Sequence, residues 1–115
     1  MEQQGLLFGK EKSRKKRRNH PKSIMGSRKG ICYLCGKAGP TEEHHIFGGP
    51  NRRLSEEYGI KVDLCMDCHR TGTAAVHRNR ETMQRLHELG QQAFENRVGS
   101  REGFVKIFGR NYIDE

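Results

Sequence analysis

The sequence contains no tryptophan and few apolar residues. Hydrophobic types make up 32% of the chain. Globular domains usually carry roughly 45–50%, a count that includes glycine. That shortage excludes a large self-sufficient core and calls for a staple, which in small domains is commonly a set of disulfides or a structural metal. No stretch approaches the ~20 apolar residues of a membrane span. No apolar h-region marks a signal peptide near the N-terminus. The expectation is a soluble, cytoplasmic protein in a reducing compartment, where paired cysteines more often bind metal than each other. With 115 residues and no internal repeat, the chain has room for one domain.

Acidic residues are nearly missing from one region. Residues 10–29 hold ten Lys/Arg and a single Glu, whereas the rest of the chain is close to neutral, so the net charge of +8 sits in an N-terminal arm. A like-charge block broken by Pro21 and Gly26 predicts a disordered arm over residues 1–29. Arg14, Lys15, Lys16, Arg17 and Arg18 are its densest part and the expected phosphate contacts, because Lys and Arg dominate non-specific nucleic-acid affinity. A nuclear localisation signal or a solubilising tail would have the same composition.

Residues 30–115 read as the folded domain. GICYLCGKAG, residues 30–39, is a tight knuckle in which Gly36 and Gly39 permit the turns. Residues 41–47 read as a short extended segment ended by Gly48, Gly49 and Pro50. LSEEYGIKVDL, residues 54–64, opens as a helical turn and closes as a strand. A helix is expected to begin near CMDCHR, residues 65–70. From Arg80 to Val98, Met83, Leu86, Leu89, Ala93 and Phe94 recur at helical steps. Gly99 stops that helix, and Ser100 caps a second whose apolar stripe is Phe104, Ile107 and Phe108.

The four cysteines form two CxxC pairs, Cys32/Cys35 and Cys65/Cys68, separated by 29 residues. Two intervening residues let both thiolates of a pair face one ion, and two pairs complete a tetrahedral zinc site. The alternatives are two disulfides, a redox CxxC or an iron–sulfur cluster, but no thioredoxin-like βαβ pattern surrounds either pair. A closed four-thiolate site has no open position for substrate, so it is scaffolding. It also relieves the small core, since metal binding contributes to folding.

Between the pairs lies TEEHHIFGGPNRR, with His44 and His45 adjacent. On a strand these rings point to opposite faces. Joining the knuckles at one zinc brings His44 or His45 towards His69, which follows Cys68, with His77 eight residues on. Two or three imidazoles there would make a second metal site, with the remaining histidine of the pair as a free base beside it; His77 taken alone reads as a surface or packing residue. Imidazole titrates near neutrality, which suits removal of a proton from water. His20 in the arm and His87 among polar helix neighbours are assigned no role.

CYLCG, EEHHIFGG and VDLCMDCH together resemble the HNH endonucleases of the ββα-metal type, in the subset with a zinc-binding CxxC…CxxC frame. The core of the likeness spans residues 30–79. HHIFGGPNRRLSEEYGIKVDLCMDCH and GFVKIFGRNY also look like small phage and prophage HNH proteins, including phage recombination-enhancement nucleases. The resemblance implies a small α+β fold: a treble-clef-like ββα-metal core stapled by zinc, followed by two C-terminal helices. It implies His44 and His69 as catalytic-metal ligands, His77 as a third ligand or a phosphate contact, and His45 as general base. The family's middle Asn usually stands five residues before the third cysteine. Here that position is Ile60, and Asn51 is the remaining candidate to fix the loop and orient the base.

The implied reaction is hydrolysis of a DNA phosphodiester to 5′-phosphate and 3′-hydroxyl ends, with one metal and one histidine base. Mg²⁺ or Mn²⁺ is the first expectation for the metal, with Ni²⁺ or Zn²⁺ as alternatives. Arg52, Arg53 and Arg70 flank the expected centre as phosphate contacts. The implied partner is DNA, delivered by a recombinase or another phage DNA-processing protein. One centre nicks one strand, so a monomer or weak dimer suffices. The rival class is a zinc-stapled nucleic-acid-binding module without catalysis; a protein-interaction zinc domain is a further alternative.

Overall fold

The computed structural model describes residues 21–113, a small α+β unit. Arg14, Lys15, Lys16, Arg17 and Arg18 lie outside the described residues. Strand β1 (Glu42–His45) pairs antiparallel with β2 (Lys61–Leu64), with His44 opposite Val62 and His45 opposite Lys61. Among the described residues these form the one sheet, of two strands. After β1 a single 3₁₀ turn (Gly49–Asn51) leads into helix α1 (Arg52–Tyr58). Gly59 closes α1 in the left-handed conformation at φ 72°, and its carbonyl accepts from Ile24 N–H at 2.9 Å. A side chain at Gly59 would collide with the Lys22 carbonyl.

That contact corrects the expected arm. Composition predicts disorder for residues 21–29, yet from Ser23 onwards they are tied to the folded unit. Ser23 Oγ donates to the Lys61 carbonyl at 2.6 Å, and Ser27 Oγ accepts from Asp63 N–H at 2.8 Å. Ile24 and Met25 pack on the core. A two-stranded sheet leaves edge groups unpaired, and two serines from this segment, together with Tyr33 N–H on the Asp63 carbonyl, cover those of β2.

After β2 the chain makes one π-helical turn (Asp67–Thr71). The helix expected near the second knuckle stops there, because Gly72 turns extended with its N–H on the Asp67 carbonyl at 2.8 Å. Helix α2 (Arg80–Arg97) starts at Asn79, whose side chain accepts from Thr82 N–H, and α3 (Arg101–Phe108) starts at Ser100, whose hydroxyl accepts from Gly103 N–H. Phe104 and Phe108 are buried and stacked 4.6 Å apart, and both meet Phe47 just after β1. Ile107 departs from the expected stripe and is exposed, since this short helix buries only its i, i+4 ridge. α2 packs at Gly90 on the residues that follow β1 and precede β2, where a Cβ would stand 2.9 Å from Ile46 and 3.0 Å from Ile60. The helices thus clamp the strand that carries the two histidines. None of the helices among the described residues is long and apolar enough to cross a membrane.

Candidate functional site

The two knuckles meet. All four cysteines are unpaired by disulfides, and their sulfurs lie within 4.8 Å of one another. Cys35 Sγ and Cys65 Sγ are 3.9 Å apart. That matches the edge of a sulfur tetrahedron with ~2.3 Å metal bonds, about 3.8 Å, and is far from a ~2.05 Å disulfide. Burial opposes ionisation of Cys32, but backbone N–H groups near Cys35, Cys65 and Leu34 outweigh it and bring the thiol down to about 6. Burial and the neighbouring thiols push Cys68 up instead. The opposed preferences of Cys32 and Cys68 vanish once an ion requires thiolates. The residues fit a structural zinc.

Strand alternation separates the histidine pair. His44 shares one face of β1 with Glu42, two residues earlier, while His45 shares the other with Glu43. On the first face His44, His69 and His77 converge, with ring centroids 4.6–5.2 Å apart. His69 arrives there on the π-helical turn. His77 returns to it because buried Ala75 and Val76 fold the loop back, with Val76 N–H on the Cys68 carbonyl at 2.8 Å.

The ring nitrogens of this nest are arranged as ligands. His69 Nδ1 donates to Glu42 Oε1 at 2.6 Å, which leaves Nε2 as a lone pair. His77 Nε2 lies 3.0 Å from it, close to the ~3.3 Å nitrogen–nitrogen edge around a tetrahedral ion. His44 Nε2 is buried with no hydrogen-bond partner, alone in this among the described side-chain atoms. An orphaned buried acceptor costs about 1–3 kcal/mol unless something occupies it. Burial, then the charges of His69 and His77, holds His44 down at about 3, so the ring is a neutral donor. His77 is lowered as well, chiefly by burial and then by His69. Glu42 is held below the usual carboxylate range, first by His69 and then by Arg70, whose Nε donates to it at 3.0 Å. A carboxylate behind a ligating imidazole fixes its tautomer and orientation. The three imidazoles fit a divalent metal.

On the second face His45 Nε2 meets Glu56 Oε1 of α1 at 2.7 Å, and Lys61 Nζ meets Glu56 Oε2 at 2.9 Å and Glu43 Oε2 at 3.4 Å. His45 still lines the same open cleft as the nest. That cleft holds about 520 Å³ and is lined also by Arg52, Arg70, Met83 and His87. Arg53 is exposed on α1 and does not line it. Asn51 fixes its loop, its side-chain amide donating to the Phe108 carbonyl of α3 at 2.9 Å, while the residue bonded to His45 is Glu56.

Sequence reasoning missed Glu42, Glu56, Lys61 and His87. Glu42 was detectable, since it stands two places before His44 on a strand. Lys61 depends on sheet register and Glu56 on the packing of α1. Polar helix neighbours hide His87 in the sequence, yet it stacks on Phe47 at 5.2 Å and is lowered by burial and then by Arg110. Compared with known proteins, the chain matches no family model, no curated protein and no solved structure.

Proposed function

We propose that this chain is a metal-dependent DNA endonuclease of the HNH type, with His45 as general base, a divalent metal on His44, His69 and His77, and structural zinc on Cys32, Cys35, Cys65 and Cys68. The observation that carries this reading is the orphaned His44 Nε2, buried among two other imidazoles in the cleft that His45 also lines. The order of β1, β2, the His69–His77 turn and α2 agrees with a ββα-metal core. A binding module would need the zinc frame but not an imidazole nest with a spare base beside it.

The bound metal would supply Lewis-acid stabilisation of charge on the scissile phosphate. Glu42 holds the His69 ring in place for it. His45 takes the proton of the attacking water. Arg52 and Arg70 line the cleft where phosphate oxygens would lie. A third imidazole shifts the metal preference from magnesium, expected from the resemblance, towards manganese, nickel or zinc, which suit nitrogen donors. The basic residues Arg14 to Arg18 supply salt-dependent affinity, and a DNA-processing partner delivers substrate.

The test is conversion of supercoiled plasmid to open circles by zinc-loaded protein with Mn²⁺, Ni²⁺, Mg²⁺ or EDTA. Nicking that needs a transition metal supports the proposal. A folded, zinc-loaded protein that binds DNA but leaves supercoiled, single-stranded and branched substrates intact with every metal would favour the binding module.

A further inference from the structure

His45 carries the proposed chemistry, and its environment is built from residues with no part in the metal nest. Glu56 reaches it from α1 with one carboxylate oxygen, and the other oxygen is taken by Lys61. Lys61 stands directly opposite His45 in the sheet and is 5% exposed. An ionised carboxylate only accepts hydrogen bonds, and an ammonium only donates. The neutral His45 ring facing Glu56 through Nε2 must therefore carry its proton there. Its other nitrogen, Nδ1, is left with a lone pair.

We infer that Glu56 and Lys61 are positioning residues that fix His45 as the Nε2–H tautomer and so leave Nδ1 as the atom that accepts a proton from water. This rests on the reading of His45 as the base, and it supplies the orienting group absent where Ile60 replaces asparagine. Lys61 contributes to the device by donating to the second oxygen of Glu56 at 2.9 Å and to Glu43, which also faces His45, at 3.4 Å. Replacing Glu56 with Gln makes this visible without changing shape. Lys61 cannot accept, so it keeps the amide oxygen, and the amide N–H₂ turns to His45. His45 Nε2 must then accept, and the proton moves to Nδ1. Removing the ammonium with Lys61→Met lets the amide rotate back.

The experiment is a long-range ¹H–¹⁵N correlation spectrum of the histidine rings in full-length, zinc-loaded protein, with His45 identified by His45→Ala. The wild type is expected to show protonated Nε2 and bare Nδ1 at His45. E56Q is expected to show the reverse, and E56Q/K61M to return to the wild-type pattern. Plasmid nicking is read in parallel. E56Q is expected to lose about 1,000-fold in kcat with KM unchanged, the size expected when a general base is held in the wrong tautomer. The double variant is expected to regain at least a tenth of the wild-type rate. An unchanged ring pattern in folded E56Q, or bare Nε2 in the wild type, overturns the inference. Inversion of the tautomer in a protein that never cuts DNA upholds the positioning and removes only the nuclease reading.

Discussion

Replacing His44 with Ala takes away the orphaned nitrogen around which the nest is built. It is expected to abolish Mn²⁺ or Ni²⁺ binding at that site while leaving zinc on the four cysteines, as metal analysis after dialysis would show. Glu42→Gln acts one shell further out. It keeps a partner for His69 Nδ1–H but weakens the bond, and metal affinity should fall roughly 10- to 100-fold, read by titration calorimetry. At this scale the sequence was legible in part. The adjacency of His44 and His45 on a strand is enough to separate their faces, and the position of His69 after Cys68 puts it near whichever histidine faces the zinc side. Glu56 was not legible. It lies eleven residues from His45 in the chain, and only the packing of α1 against the hairpin brings the two together.

The elements are held by small, specific contacts. Gly90→Ala should gain about 1 kcal/mol of helix propensity in α2, but it forces a methyl group against Ile46, Ile60 and Phe47. Overpacking of that kind costs roughly 1–3 kcal/mol. The expected net effect is a loss of about 1 kcal/mol, seen as a lower urea midpoint at unchanged slope. α2 and α3 are tied by Arg101 Nε donating to Glu95 at 2.9 Å. Arg101 holds the Glu95 carboxyl below its ordinary value. A depressed carboxylate gives stability that is present above the ordinary value of 4.5 and lost as pH falls through the depressed one. Glu95→Gln should therefore cost about 0.5 kcal/mol near neutrality and flatten the acid limb of a stability–pH curve. The apolar recurrence from Met83 to Phe94, the stop at Gly99 and the cap at Ser100 made both helices readable in advance; the Asn79 cap was seen only in the structure. The π-helical turn was not readable. A helical signal over CMDCHR says nothing of the need for Cys68 to face the thiol cluster while His69 faces the imidazoles.

For the molecule as a whole, the scarcity of apolar residues leads us to expect that zinc on the four cysteines is a condition of folding. Chelation of zinc, or Cys35→Ser, should abolish the cooperative thermal transition seen by circular dichroism. The basic arm must be cut with care. Deleting residues 1–29 would also strip Ser23 and Ser27 from the edge of β2 and Ile24 from the end of α1, so lost DNA binding would not separate the arm from a damaged sheet. Deleting residues 1–20 spares those contacts and should lower DNA affinity and the slope of affinity against salt. The composition alone could not set that boundary, because a serine that caps a sheet edge looks like any serine in a tail.

The central claim is that the two faces of β1 divide one reaction between them, metal on one and base on the other. The most direct measurement is plasmid nicking by His45→Ala, with its Mn²⁺ content and DNA affinity measured in the same preparation. The account predicts metal and DNA bound as in the wild type, with cleavage lower by at least about 100-fold. Cleavage at the wild-type rate by that variant would contradict it.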